Sequence, residues 1–174
     1  MNAPETPSFH DQFVALFEAH FQRLYRYLDR LSGEPELAAD LVQDAFVRLY
    51  RRGELPDAPE AWLISVAMNL FRNVKSSRSR RRHLLTVARS EGVLADAARS
   101  PEQDLLAADL RARVRLVIDR MPERDRELLL LSAEGYSYRD MAVALELNEG
   151  SVGTLLARAR RAFRRDYEAL PDAP

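Results

Sequence analysis

Arginine is the residue type whose placement along this chain could do chemistry. Of the 26 basic residues among 174, all but Lys75 are arginine. The planar guanidinium fork suits bidentate contacts to phosphate and to guanine edges. The arginines are also segregated. Residues 71–90 carry six Arg and Lys75 with no acid, and residues 158–165 carry five Arg with no acid. The stretches before, between and after are net acidic, so the whole chain balances at −1. One basic block is usually a solvated helix face. Two such blocks, each ending a helical unit, point to a polyanion touched at two places.

Bond-making chemistry has little to work with. There is no cysteine, which excludes a disulfide framework, a thiol nucleophile and a zinc-thiolate site. His10, His20 and His83 do not fall at metal-ligand spacing. Neither a phosphate loop nor a Gly-x-Ser-x-Gly elbow is present. Glu34 and Glu36 sit together on a turn and need no catalytic explanation. Neither a cofactor nor a metal is expected, and an enzyme is the weakest of the readings. Hydrophobic residues make up 47%, enough for a packed core. The longest apolar run, Met141–Leu145, is bounded by charge and far short of the ~20 residues that cross a bilayer. The first residues, Met1–Pro7, lack the basic and apolar regions of a secretory signal. A soluble, cytoplasmic protein with no stable membrane insertion is expected.

The elements that must position the arginines read as helices throughout, so the expected fold class is all-α. Ser8 with Asp11 forms an acidic capping box opening a helix over about 9–31, with Phe13, Leu16, Phe17, Phe21, Leu24, Tyr25 and Leu28 at helical spacing. Gly33 and Pro35 break it. A second helix over about 36–51 turns Leu37, Leu41, Ala45, Phe46 and Leu49 inward, leaving Asp40, Gln43, Asp44 and Val47 on the outer side. After the loop Gly53–Pro56, Asp57 is expected to cap a third helix with Glu60 at N3 and Trp62, Leu63, Val66, Ala67 and Leu70 along its buried stripe. That helix runs into the first basic block. Residues 83–100 read as a linker, and Ser100-Pro101-Glu102-Gln103 as a capping box that opens a second domain. Its helices are expected at about 101–120, 122–134, 138–145 and 149–168.

The stretch from Gly135 to Arg165 is the most informative. Ser137 with Asp140 starts a short helix on which Ala142, Val143 and Leu145 are expected to pack inward. Glu146-Leu147-Asn148 then makes a tight connection, and Asn148 caps a longer helix. Short helix, tight turn and longer helix is the helix-turn-helix pattern, although an ordinary helical hairpin fits it too. Gly153 costs the longer helix about 1 kcal/mol relative to Ala, so a local reason for it is expected.

Four motifs in order resemble the extracytoplasmic-function sigma factors, minimal bacterial subunits of the sigma-70 type. Asp40-Leu41-Val42-Gln43-Asp44-Ala45-Phe46 is similar to the family's Asp-x-x-Gln-acid-x-Phe signature. Trp62-Leu63 followed by Ala67-Met68-Asn69 resembles its Trp-Leu…Ala-x-Asn signature, with the Arg-rich helix end behind it. Met121–Arg124 through Glu134–Tyr138 looks like the approach to its helix-turn-helix, and Glu149–Val152 with Arg158–Arg160 like its recognition helix.

The resemblance implies a division of labour. Residues 1–82 would form an N-terminal domain that binds the β′ clamp of core RNA polymerase and melts the −10 promoter element. Residues 83–100 would be a linker. Residues 101–174 would read the −35 element while docking on the β flap. By the same carry-over, Asp40, Gln43 and Asp44 contact the clamp. Arg52, Asn69, Arg72, Asn73, Lys75, Arg78, Arg80, Arg81 and Arg82 handle the −10 strand. Arg139, Glu149, Gly150, Ser151, Thr154 and Arg158 handle the −35 duplex. Promoter DNA and core polymerase are the implied partners, and an anti-sigma factor is a further candidate.

The serious rival is a stand-alone helix-turn-helix regulator, but that has no reason to carry Asp40–Phe46 together with Trp62–Asn69. A pure protein–protein adaptor is the third non-catalytic class. For a sigma factor, the linker length has a consequence. As a flexible coil, residues 83–100 span roughly 24 Å, and fully extended about 60 Å. Elements about 25 base pairs apart lie roughly 85 Å apart along the duplex. A stretched form is therefore expected on a promoter, and a form with the two halves in contact when free.

Overall fold

The computed structural model describes residues 7–85 and 103–170. Among these, seven helices account for nearly all of the chain: α1 (Phe9–Ser32), α2 (Pro35–Arg52), α3 (Pro59–Leu85), α4 (Gln103–Arg120), α5 (Glu123–Ala133), α6 (Tyr138–Ala144) and α7 (Glu149–Glu168). Local chemistry sets most of the starts. The Asp11 N–H donates to Ser8 Oγ at 3.2 Å, and the Ser8 N–H donates to the Asp11 carboxylate at 3.1 Å, which closes the capping box of α1. Ser137 and Asp140 build the same box at α6. Asn148 caps α7 by accepting from the Gly150 N–H at 2.8 Å. The expected box at Ser100–Gln103 lies outside the described residues, apart from Gln103 itself, which begins α4.

Two starts and stops differ from expectation. Asp57 does not immediately precede α3, which begins at Pro59, and the Trp62 N–H bonds the Ala58 carbonyl instead. Proline takes the first helical position because it has no N–H to leave unsatisfied. Glu60, freed from capping, turns to Arg23 at 3.4 Å. At its far end α3 runs on to Leu85, so the first three residues of the expected linker are helical. The remainder, 86–100, lies outside the described residues.

Helix stops rely on left-handed residues. Gly33 (φ 72°) ends α1, and a Cβ there would come within 2.7 Å of the Arg115 guanidinium of α4. That guanidinium donates to the Arg30 carbonyl at 2.7 Å, so the absent side chain is what lets α4 cap α1. The α6–α7 turn closes differently. The Leu147 N–H reaches back to the Ala142 carbonyl at 2.8 Å, with Glu146 at φ 55° where glycine is usual.

The core forms where the amphipathic stripes meet. α1 packs on α2, α2 on α3, and α5 and α6 on α7. Leu24, Tyr27, Leu28, Val42, Leu49, Leu63, Ile64 and Met68 fill the first group, and Leu128, Leu131, Met141, Val152 and Leu156 the second. Each such side chain contributes about 1.5–3 kcal/mol by leaving water. The two groups also touch, through α1 with α5 and α3 with α6, and their buried residues form one continuous cluster.

On α6 the inward set is Met141, Ala142 and Ala144. Val143 is 50% exposed, contrary to expectation, and Leu145 only half-buried. A seven-residue helix packed on both α3 and α7 turns Met141, Ala142 and Ala144 to its neighbours, so Val143 is left on the outside.

Candidate nucleic-acid and docking surfaces

Three surfaces carry the residues singled out in the sequence. The first is the outer ridge of α2. Asp40, Gln43 and Asp44 are all exposed, spaced so that they share one helix face. Among the described residues neither aspartate forms an ion pair, so the ridge offers two free carboxylates and an amide.

Beside it lies a feature that helical spacing did not reveal. Phe13, Phe17, Phe21, Phe46, Val47 and Tyr50 line an open cleft between α1 and α2, with Gln43 at its edge. Phe17 meets Phe21 and Phe46 with ring centroids at 4.8 and 5.0 Å, and Phe13 meets Tyr50 edge-on at 5.1 Å. Phe17 remains 39% exposed and Tyr50 53%. Phe13, Phe17 and Phe21 read as part of the apolar stripe of α1 in sequence. Among the described residues that stripe is covered on one side only.

The second surface is the polar side of α3. Asn69, Arg72, Asn73 and Arg80 recur at helical spacing along one exposed strip, with Lys75 and Arg78 on the flank. Arg72, Lys75, Ser76, Ser79 and Arg80 line a cleft that Glu123 of α5 closes on one side. Several of these cations are engaged within the chain. Arg72 donates to both Glu127 oxygens at 3.0 and 3.3 Å, Lys75 lies 3.8 Å from Glu123, and Arg78 reaches Glu34 at 2.5 Å. Arg52, in the last turn of α2, pairs with Glu54 at 3.3 Å. Arg81 and Arg82 belong to the helical run, but their side chains fall outside the described residues.

The third surface is the start of α7. Val152, Leu156 and Ala159 are buried, so Gly150, Ser151, Thr154 and Arg158 share the outward face. Glu149 is exposed in the first turn, and Arg139 in the first turn of α6. Arg158 donates to Asp125 at 3.2 Å and ties α7 to α5, while Arg160 donates to Ser132 at 2.9 Å. Gly153 has its local reason in Tyr138. An added Cβ would lie 3.4 Å from that ring, so the glycine gives the aromatic side chain room to lie on α7.

Buried acids were missed by the sequence reading. Asp125 and Glu127 sit buried in α5, and the Glu134 side chain at its end is only 3% exposed. Burial pushes the Glu127 carboxyl above its ordinary range, with the neighbouring Arg72 opposing that shift. The Tyr27 hydroxyl, wholly buried, is also raised, first by desolvation and then by the negative Glu127. In contrast, the Ser8 hydrogen bonds pull the exposed Asp11 carboxyl below its usual range.

The family model described as sigma-70 region 2 matches residues 16–82, and that of sigma-70 region 4 matches residues 111–163. The RNA polymerase sigma-H factor of Pseudomonas aeruginosa is 31% identical over 153 residues, covering 81% of this chain and 78% of that protein. The chain belongs to the sigma-70 family of RNA polymerase sigma factors, in its extracytoplasmic-function group. The ECF sigma factor SigE of Mycolicibacterium smegmatis is 32% identical over 167 residues, and there the chain spans 60% of the relative's length. A solved structure of the sigma factor RpoE with the anti-sigma factor NepR from Bartonella quintana has the same fold. It superposes at a TM-score of 0.67 with 22% identity, covering 92% of this chain and 99% of that one. For this sigma factor, α1–α3 thus fall in region 2 and α5–α7 in region 4. Among the described residues no helix is long and apolar enough to cross a membrane.

Proposed function

We propose that this sigma factor directs core RNA polymerase to specific promoters and starts transcription there, working in the cytoplasm by binding rather than by bond chemistry. One observation carries the reading: matches to region 2 and region 4 lie on one chain, each on its own helical group. A stand-alone helix-turn-helix regulator accounts for the second match and leaves the first without a purpose.

In this reading residues 1–82 hold the polymerase clamp and the −10 strand, 83–100 connect, and 101–174 hold the −35 duplex and the flap. Asp40, Gln43 and Asp44 supply the polar part of the clamp contact. The aromatic cleft beside them supplies the apolar part, since an interface core is favoured by exposed Phe and Tyr. Along α3, Asn69, Asn73 and the arginines face a melted strand, where guanidinium groups hold phosphate and amides bond base edges. At α7, Ser151, Thr154 and the N-terminal peptide dipoles meet the duplex, and Arg139 and Arg158 flank them. Promoter DNA and core polymerase are the partners, and an anti-sigma factor covering the same surfaces would be the natural inhibitor.

Reconstitution tests the reading. The purified chain mixed with core polymerase is expected to form a stable complex and yield run-off transcripts from promoters selected out of genomic fragments. Failure to bind core enzyme would reject it.

A further inference from the structure

We propose that the cavity where α1 and α2 meet α3, α4 and α5 is a binding site for the phosphate group of a small molecule. Of its cations only Lys75 and Arg78 belong to the surfaces described above. Binding is a property of the free chain, so it stands or falls apart from the functional reading.

The cavity has a volume of about 180 Å³, and four cations line it, Lys75, Arg78, Arg115 and Arg126, against two carboxylates, Glu34 and Asp119. Both carboxylates are already spent. Glu34 is held by Arg78 at 2.5 Å, and Asp119 by Arg115 at 2.9 Å. Lys75 has only Glu123, 3.8 Å away at the outer limit of an ion pair, and half of its side chain remains exposed.

Arg126 is the decisive residue. It is only 9% exposed, and its Nε is buried with no hydrogen-bond partner among the described residues. The acids on either side of it in sequence are taken by other arginines, Asp125 by Arg158 at 3.2 Å and Glu127 by Arg72 at 3.0 Å. A buried lysine or histidine escapes such a position by giving up its proton, but a guanidinium does not. A buried charge without a counter-ion is costly. An anion brought from solution removes that cost, and the guanidinium fork suits phosphate.

With Arg126 and Lys75 left unmatched, the site favours a dianion over a singly charged carboxylate. Size narrows the ligand further. A cavity of ~150 Å³ admits benzene, whereas drug-sized ligands occupy about 300 Å³ or more. A phosphate with a short organic group is therefore accommodated, and a dinucleotide is excluded. Phe71 and Val74 supply an apolar wall for that organic group.

Lys75 is the only lysine of the chain, so amine acylation read by mass spectrometry reports on the cavity at one position, with the α-amino group as reference. Calorimetry of the full chain with sodium phosphate and with phenyl phosphate is expected to show saturable one-to-one binding, and both should slow acylation of Lys75 several-fold. Sodium acetate at the same ionic strength is expected to do neither. Tighter binding of phenyl phosphate would mark an ester as the ligand, and equal affinities would mark free phosphate.

Arg126→Met is expected to weaken binding of both by about tenfold or more, as loss of a hydrogen bond to a charged group implies. Its helix content should be unchanged and its melting temperature no lower, because an apolar side chain replaces a buried cation that lacks a counter-ion. Lys75→Gln, at an exposed position, is a second variant and is expected to weaken binding a few-fold. Arg48→Met makes the same charge change as Arg126→Met at an exposed site outside the cavity and is expected to bind as the parent does. Absence of saturable binding, acetate binding as tightly as phosphate, or full affinity in the Arg126 and Lys75 variants would overturn the proposal.

Discussion

Two sets of acids in this sigma factor have opposite fates. Asp40 and Asp44 stand on the outer ridge of α2, exposed and without an ion pair among the described residues. Asp125 and Glu127 lie on α5 and Glu134 caps its end, their side chains buried and each held by arginine. The side chains are chemically alike; only the neighbours differ. A carboxylate facing water is kept available for another molecule, whereas a buried one must be satisfied within the chain or lose the free energy of its hydration. The exposed acids here are free to meet another molecule, and the buried acids mark contacts between helices.

Breaking the exposed set should give the largest effect on function and the least on stability. Asp40→Ala with Gln43→Ala is expected to weaken core-polymerase binding tenfold or more, while the melting temperature stays within the ~0.5 kcal/mol range of ordinary surface changes. Titration against core enzyme and a thermal melt decide it together. Full affinity in the folded double variant would sink the assignment.

The buried set should behave the other way. Glu134→Ala removes the acceptor for Arg26 and Arg30 and is expected to lower stability by about 1.5–3 kcal/mol, the range for hydrogen bonds to charged groups. Asp44→Ala, changed in parallel, should leave chemical denaturation untouched. Equal losses from the two would erase the distinction.

The pH dependence sharpens the contrast further. The Glu127 carboxyl is raised in the folded chain, so its contribution to stability is fully present below its unfolded pKa of about 4.3 and is lost as pH rises through the folded value. The stability of Glu127→Gln relative to the unaltered chain is therefore expected to shift in the variant's favour as pH rises above about 4. The lowered Asp11 carboxyl has the opposite sign. Its contribution is present above the unfolded value and disappears as pH falls through the folded one. Melting curves of Glu127→Gln and Asp11→Asn against pH should therefore diverge from the parent in opposite directions.

The smallest effect calibrates the helix that carries neither acid set. Gly153→Ala on α7 places a methyl in ordinary contact with Tyr138. Stability should rise by no more than the ~1 kcal/mol difference in helix propensity, and a loss would mean that the ring cannot give way.

What the sequence determined by itself lies within a few residues of chain. The capping boxes at Ser8 and Ser137, the Asn148 cap and the inward stripe of α2 all hold, because each depends on groups two to four positions apart. The family motifs were legible for the same reason, being short and ordered along the chain. Tertiary structure decided the rest. Phe17 and Tyr50 were left exposed because, among the described residues, no helix covers that side of α1 and α2, while Tyr27 was buried and Val143 turned outward. Arg72 was joined to Glu127 across 55 residues of chain, and Arg26 to Glu134 across 108. No local rule predicts such pairs, because a charged side chain's partner is chosen by which helices dock, and docking is settled by the shared apolar cluster rather than by the charges it brings together.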